Sequence, residues 1–185
     1  MKVATIDRTK DWTVEDYLLL GESKTPCQLI NGELIISPSP TPYHQIISSN
    51  LNDLLKAEAK KTGGIVFYAP MDLYLDRKNV YQPDLIYISK EKRNIITNRG
   101  VEGIPDLIIE IISPSNSYTD RNQKKNGYQQ FGVTEYWIVD PANATLEIYA
   151  GNSWDVPVLY LAEDGEVASS VLRDLKFDLK EIFNP

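Results

Sequence analysis

The segment that most constrains the fold is Asp106-Leu107-Ile108-Ile109-Glu110-Ile111-Ile112. As a strand it is apolar on both faces, which marks a central strand covered on either side. One charge stands inside it. Glu110 is flanked by Ile109 and Ile111, and a carboxylate taken out of water there needs a partner. Alternate side chains of a strand share a face, so Asp106, Ile108, Glu110 and Ile112 point the same way. Asp106 and Glu110 are then about 13 Å apart, too far to share one ion at ligand distances of ~2.0–2.1 Å. Asp106 after Pro105 reads as a strand start, and Glu110 needs an acid from a neighbouring strand. Asp84, opening Pro83-Asp84-Leu85-Ile86-Tyr87-Ile88, is the natural candidate. Two acids beside a cation are how a protein holds a hard, oxygen-loving ion such as Mg²⁺. The bland alternatives are a buried Glu110–Lys124 ion pair without a metal, and Asp84 as a loop-to-strand cap.

The rest of the chain supplies the layers such a strand requires. Thr13 with Asp16 three residues on predicts a capped helix over 13–20. Asn31-Gly32 between Gln28-Leu29-Ile30 and Glu33-Leu34-Ile35-Ile36 predicts a two-residue hairpin. A breaker run, Ser37 to Pro42, precedes a helix over about 43–61, whose Ile46, Ile47, Leu51, Leu54 and Leu55 recur at helical spacing until Gly63-Gly64. Strands are expected near 65–69, 71–75, 84–88 and 136–139, a loop over 90–103 and a helix over 118–131. Segments 145–149, 158–161 and 167–171 read as an antiparallel C-terminal meander, and 178–183 as a closing helical turn. The expected class is α/β or α+β: one domain over 1–185 with a central mixed sheet flanked by helices.

Composition excludes several function classes. No apolar run reaches the ~20 residues of a membrane span, and the N-terminus lacks the apolar stretch of a secretory signal. Cys27 is the only cysteine, which rules out an intrachain disulfide and a C-x-x-C zinc site and points to a reducing cytoplasm. There is no G-x-x-x-x-G-K-[ST] loop, G-x-G-x-x-G turn or G-x-S-x-G elbow. The net charge of −7 is unusual for a phosphate binder, but the deficit is local. Residues 1–134 carry 16 acidic and 16 basic side chains, whereas residues 135–185 carry 10 and 3. Short basic clusters stand at Lys90, Lys92, Arg93 and Arg99, and at Arg121, Lys124 and Lys125.

Asp120, Lys124 and Tyr128 recur every four residues and line one helix stripe. Lys124 reads either as a helix ion pair with Asp120 or as an ammonium reaching the two acids, where it would orient water or stabilise charge on phosphorus. Lys125 competes for that role, and Asp120 reads equally as part of a cap begun by Ser117. His44 is the only histidine, a general base or phosphate contact on one reading and structural on the other. Glu33 is a third carboxylate or an exposed hairpin residue.

The ordered series Asn31-Gly32-Glu33, His44-Gln45, Pro83-Asp84-Leu85, Glu110-Ile111-Ile112-Ser113-Pro114-Ser115, Asp120 with Lys124 and Tyr128, and Gly132 through Pro141 resembles the Uma-type family of bacterial restriction-endonuclease-like proteins. The resemblance covers roughly Trp12 to Leu161. It implies the PD-(D/E)XK nuclease fold, with Asp84, Glu110 and the carbonyl of Ile111 as metal ligands and with Glu33 and His44 at the site. That motif expects a lysine two residues after Glu110. Ile112 stands there instead, and the family match assigns the lysine to Lys124. The expected function is a Mg²⁺-dependent endonuclease acting on DNA, with Mn²⁺ as substitute. The rival is a non-catalytic binding or assembly protein, with a homodimer through the acidic C-terminal segment as one form. A carboxylate-pair glycosidase is a weaker third reading.

Overall fold

The structure is a computed structural model that describes residues 9–21, 26–36, 39–114 and 116–184. The expected breaker run starts on Ser37 and Pro38, and the start of the chain and Ser115 of the family series also lie outside the described residues. In order, the chain forms α1 (Val14–Leu19), β1 (Cys27–Ile30), β2 (Glu33–Ile36), α2 (Pro42–Thr62), β3 (Ile65–Tyr68), β4 (Leu73–Asp76), β5 (Asn79–Tyr81) and β6 (Leu85–Ile88). A 3₁₀ turn at Lys90–Ile95 leads to β7 (Val101–Glu102) and β8 (Leu107–Ile111). A π-helical turn at Thr119–Lys124 runs into α3 (Lys125–Phe131). Then come β9 (Glu135–Asp140), β10 (Thr145–Ala150), β11 (Leu159–Ala162), β12 (Glu166–Ala168), β13 (Lys176–Asp178) and α4 (Lys180–Phe183).

The central sheet has six strands in the order β11-β10-β9-β8-β6-β3. It is mixed: β8 runs parallel to β9 and antiparallel to β6. A second sheet, β2-β1-β5-β4-β7, packs against one face. There Ile30, Leu73, Tyr81 and Val101 meet Ile86, Ile108 and Ile138 in one buried cluster. Helix α2 covers the opposite face, where Ile47, Leu51 and Leu55 meet Leu107, Ile109 and Trp137. Strand β8 therefore has apolar cover on both sides, as its sequence requires.

Local signals explain the element ends. Thr13 and Asp16 form a capping box at α1. Thr41 caps α2 one residue ahead of the expected start, with Pro42 in its first turn, and Gly63 closes it at φ 77°. Asn31 and Gly32, at φ 51° and 80°, make the hairpin turn.

Two expectations need correction, and one strand was not foreseen. The meander ends at β11, because β12 pairs with β13 in a separate two-stranded sheet. Val167 and Phe177 of that pair are buried with Leu172 and Leu175, so core packing rather than the adjacent edge strand decides its position. Residues 90–103 are more than a loop, since β7 adds parallel to β4. The second sheet also recruits β5, three residues long and too short for periodicity to reveal.

Candidate active site

The site begins with strand register. Strands β6 and β8 pair Leu85 with Ile109 and Ile86 with Ile108. One step further along this antiparallel ladder sets Asp84 opposite Glu110. Both then face the side of the sheet that carries Ile86 and Ile108. The ladder stops there because Asp84 takes over its last bond: the Ile111 N–H donates to Asp84 Oδ2 at 2.7 Å. Asp84 Oδ1 lies 3.3 Å from His44 Nε2, presented by the first turn of α2. The expected strand-start role of Asp106 fits its contacts, as it accepts from the Ser89 N–H at 2.7 Å and pairs with Lys92 at 3.0 Å.

The helix after β8 supplies the cation. Lys124 Nζ is 2.9 Å from Glu110 Oε1 and 3.0 Å from Asp120 Oδ1, and all three residues are at least 96% buried. The π-helical turn carries both Asp120 and Lys124, and such turns are common at functional sites. Tyr128, one turn on, donates from its hydroxyl to the same Glu110 oxygen at 2.8 Å. Tyr136 on β9 donates to the Asp120 carbonyl at 3.0 Å and so ties the turn to the sheet. Lys125 points elsewhere, donating to the Trp154 carbonyl and lying over the Tyr149 ring.

Charge is out of balance here. Burial pushes the Glu110 carboxyl well above the usual range; Lys124 opposes the rise, and Asp120 and Asp84 add to it. Asp120 is raised by burial too, again against the pull of Lys124. Burial works to lower Lys124, but the charges of Glu110 and Asp120 outweigh it and hold the ammonium protonated. For His44 burial also pulls downward, yet its hydrogen bond to Asp84, the Asp84 charge and a bond to the Ile111 backbone leave it raised. One ammonium thus serves two buried acids, with a third carboxylate beside them.

These groups line one cleft of about 970 Å³ that includes His44, Asp84, Glu110, Ile111, Asp120 and Lys124. Glu33 is not brought there. It is exposed at the start of β2, paired across the hairpin with Ile30. Sequence reasoning placed Tyr128 on the right stripe without assigning it a bond to Glu110. It also missed Asp140, which lines the cleft and is held by Arg121 at 3.3 Å and Asn143 at 2.9 Å.

The residues present suit a divalent cation in donor type and charge. Asp84, Glu110 and the Ile111 carbonyl offer oxygen donors in the lining of one cleft. Among the described residues no three His, Cys, Asp or Glu side chains are arranged to hold a metal together. The set is therefore a two-carboxylate one, which suits Mg²⁺, an ion that keeps several waters and takes substrate oxygens.

A family model described as "Putative restriction endonuclease" (Uma2) matches residues 14–180. The chain belongs to that family. An uncharacterized protein of the cyanobacterium Synechocystis, sll1609, is 27% identical over 179 residues, covering 94% of this chain and 99% of that protein. The fold matches the crystal structure of a putative nuclease of the DUF820 group from Anabaena variabilis with a TM-score of 0.77. That pair is 20% identical, over 92% of this chain and 97% of the other. The architecture is thus the mixed α/β restriction-endonuclease-like fold, and Uma2 membership carries a nuclease-like function with nucleic acid as the substrate class. Among the described residues no helix is long and apolar enough to cross a membrane.

Proposed function

We propose that this Uma2 protein is a Mg²⁺-dependent endonuclease that hydrolyses phosphodiester bonds in DNA, with Mn²⁺ able to substitute. The observation that carries the reading is the register of β6 on β8, which sets Asp84 across from Glu110 in a cleft that also holds buried Lys124. Asp84, Glu110 and the Ile111 carbonyl would hold the ion. When bound it supplies Lewis-acid polarisation of the phosphate and a more acidic water. Lys124 has three N–H donors. One donates to Glu110, and the ammonium also lies 3.0 Å from Asp120 as an ion pair, which leaves N–H for the attacking water or a phosphate oxygen. Tyr128 fixes the orientation of Glu110. His44 orients Asp84 through Nε2.

Titration calorimetry with Mg²⁺ and Mn²⁺ tests the metal site. The wild type is expected to bind and a Glu110→Ala variant to bind at least roughly tenfold more weakly, a change typical of a lost ligand interaction. Equal binding by the two would refute the assignment. Cleavage of supercoiled plasmid with Mn²⁺, abolished by Asp84→Ala, tests the chemistry. A second reading, a binding or assembly protein that retains the fold, is favoured by the acidic balance of residues 135–185, with 10 acidic and 3 basic side chains. No cleavage of any nucleic acid, together with a tight protein partner, would select it.

A further inference from the structure

The cleft is built unlike a track for duplex DNA. A duplex presents one phosphate charge per ~1.7 Å, and proteins that grip it make about 6–10 phosphate contacts with Lys and Arg. Among the described residues lining this cleft, the basic side chains are Lys124 and His44, and both already face carboxylates. Several side chains of the two basic clusters are paired as well. Lys92 pairs with Asp106, Arg99 with Glu102, and Arg121 with both Asp140 and Glu147.

The walls offer a different chemistry. Pro26, Pro40, Pro70, Pro114 and Pro141 line the cleft with Tyr43. The Tyr43 ring is 40% exposed and is anchored by its hydroxyl, which donates to the Phe183 carbonyl at 3.2 Å. Tyr118, 73% exposed, follows the lining residue Ser117. Apolar and aromatic walls match the faces of bases, which a duplex keeps stacked inside and a single strand exposes.

We propose, resting on the nuclease reading of the same site, that the substrate is single-stranded DNA, seated by base stacking on Tyr43 and the proline walls with only a few phosphates held. The strand enters with its bases splayed, and one phosphate reaches Lys124 and the two carboxylates.

Fluorescence anisotropy with the full chain, with Ca²⁺ replacing Mg²⁺, tests this on a labelled short single strand and on its duplex. The single strand is expected to bind at least roughly tenfold more tightly, and Tyr43→Ala to lose roughly tenfold, the effect of one stacked base. Tyr43→Phe, which keeps the ring, is expected to retain the affinity. The slope of log K against log salt is expected near about −2, from ~0.7 per phosphate at two or three phosphates. Equal or tighter duplex binding, a slope steeper than about −5, unchanged binding by Tyr43→Ala, or no binding of either form would overturn the proposal. Cleavage is read separately with Mn²⁺. Binding of the single strand without cutting counts against the nuclease and leaves the strand preference standing. Preferential cutting of duplex does the reverse.

Discussion

Replacing Lys124 with methionine separates the charge at this site from its packing. Methionine fills similar space without the ammonium, which lies 2.9 Å from Glu110 and 3.0 Å from Asp120 in a residue 3% exposed. Removing one partner of a buried ion pair costs about 3–5 kcal/mol, because the remaining charge is left without compensation. Protonation offers an escape that sets a ceiling. Relative to unfolded pKa values near 4, neutralising a carboxylate costs about 5 kcal/mol at pH 8 but only about 1–1.5 kcal/mol at pH 5. Glu110 and Asp120 are both raised by burial even with Lys124 present, and its loss raises them further. An acid whose folded pKa is raised contributes stability that is full below its unfolded pKa and is lost as pH rises through the folded one. The destabilisation by Lys124→Met must therefore grow with pH across this window. Urea unfolding in EDTA should show a loss of about 3–5 kcal/mol at pH 8, shrinking to about 2 kcal/mol at pH 5. A loss below about 1 kcal/mol at pH 8, or one that grows toward acid pH, would refute the charge arrangement.

Two further variants probe the supports of the site. Tyr128→Phe removes the hydroxyl donor at 2.8 Å from Glu110, and denaturant unfolding should record a loss of about 1–2 kcal/mol. Glu135→Ala strips a buried acceptor from Trp137 Nε1, Ser169 Oγ and the Ser170 N–H, each at 2.7 Å. It should cost about 3 kcal/mol or more and speed proteolysis of the segment around Ser169–Leu172, which Glu135 anchors to β9.

What the sequence made legible follows the range of the interactions involved. The β1–β2 turn, the α1 capping box and the α2 stop are set within a few residues, and the chain states them directly. The two-faced apolar run announced β8 as central, and it carries Glu110 buried within it. Strand β5 was silent because three residues carry no period, and the place of β12 was hidden because its partner β13 lies beyond a loop. The sequence leaves Glu33 open between two readings. It shares its turn with a hairpin that does form, yet a strand's alternation cannot tell which face meets the cleft, and the structure leaves it exposed.

The lysine of the proposed site would come from a different element than the strand that carries Glu110. Just past the end of strand β8, two residues after Glu110, stands Ile112, which is buried in the cluster with Ile108 and Ile138. A lysine there would have to lift its ammonium out of that apolar cluster to reach the carboxylates of the cleft. The helix offers a cheaper route. Its π-helical turn holds Asp120 four residues before Lys124, so the ammonium arrives already paired and then spans to Glu110. Such pairing stiffens the site, because Lys124 is fixed from one side by its own helix and from the other by the sheet. It also consumes part of the positive charge. Asp84 is left to the Ile111 N–H and His44, and the site keeps a carboxylate that Lys124 does not answer. Those oxygen donors between the strands support the proposed divalent ion, and the few free cations of the cleft are why a duplex, bringing many phosphates, is the less favoured guest.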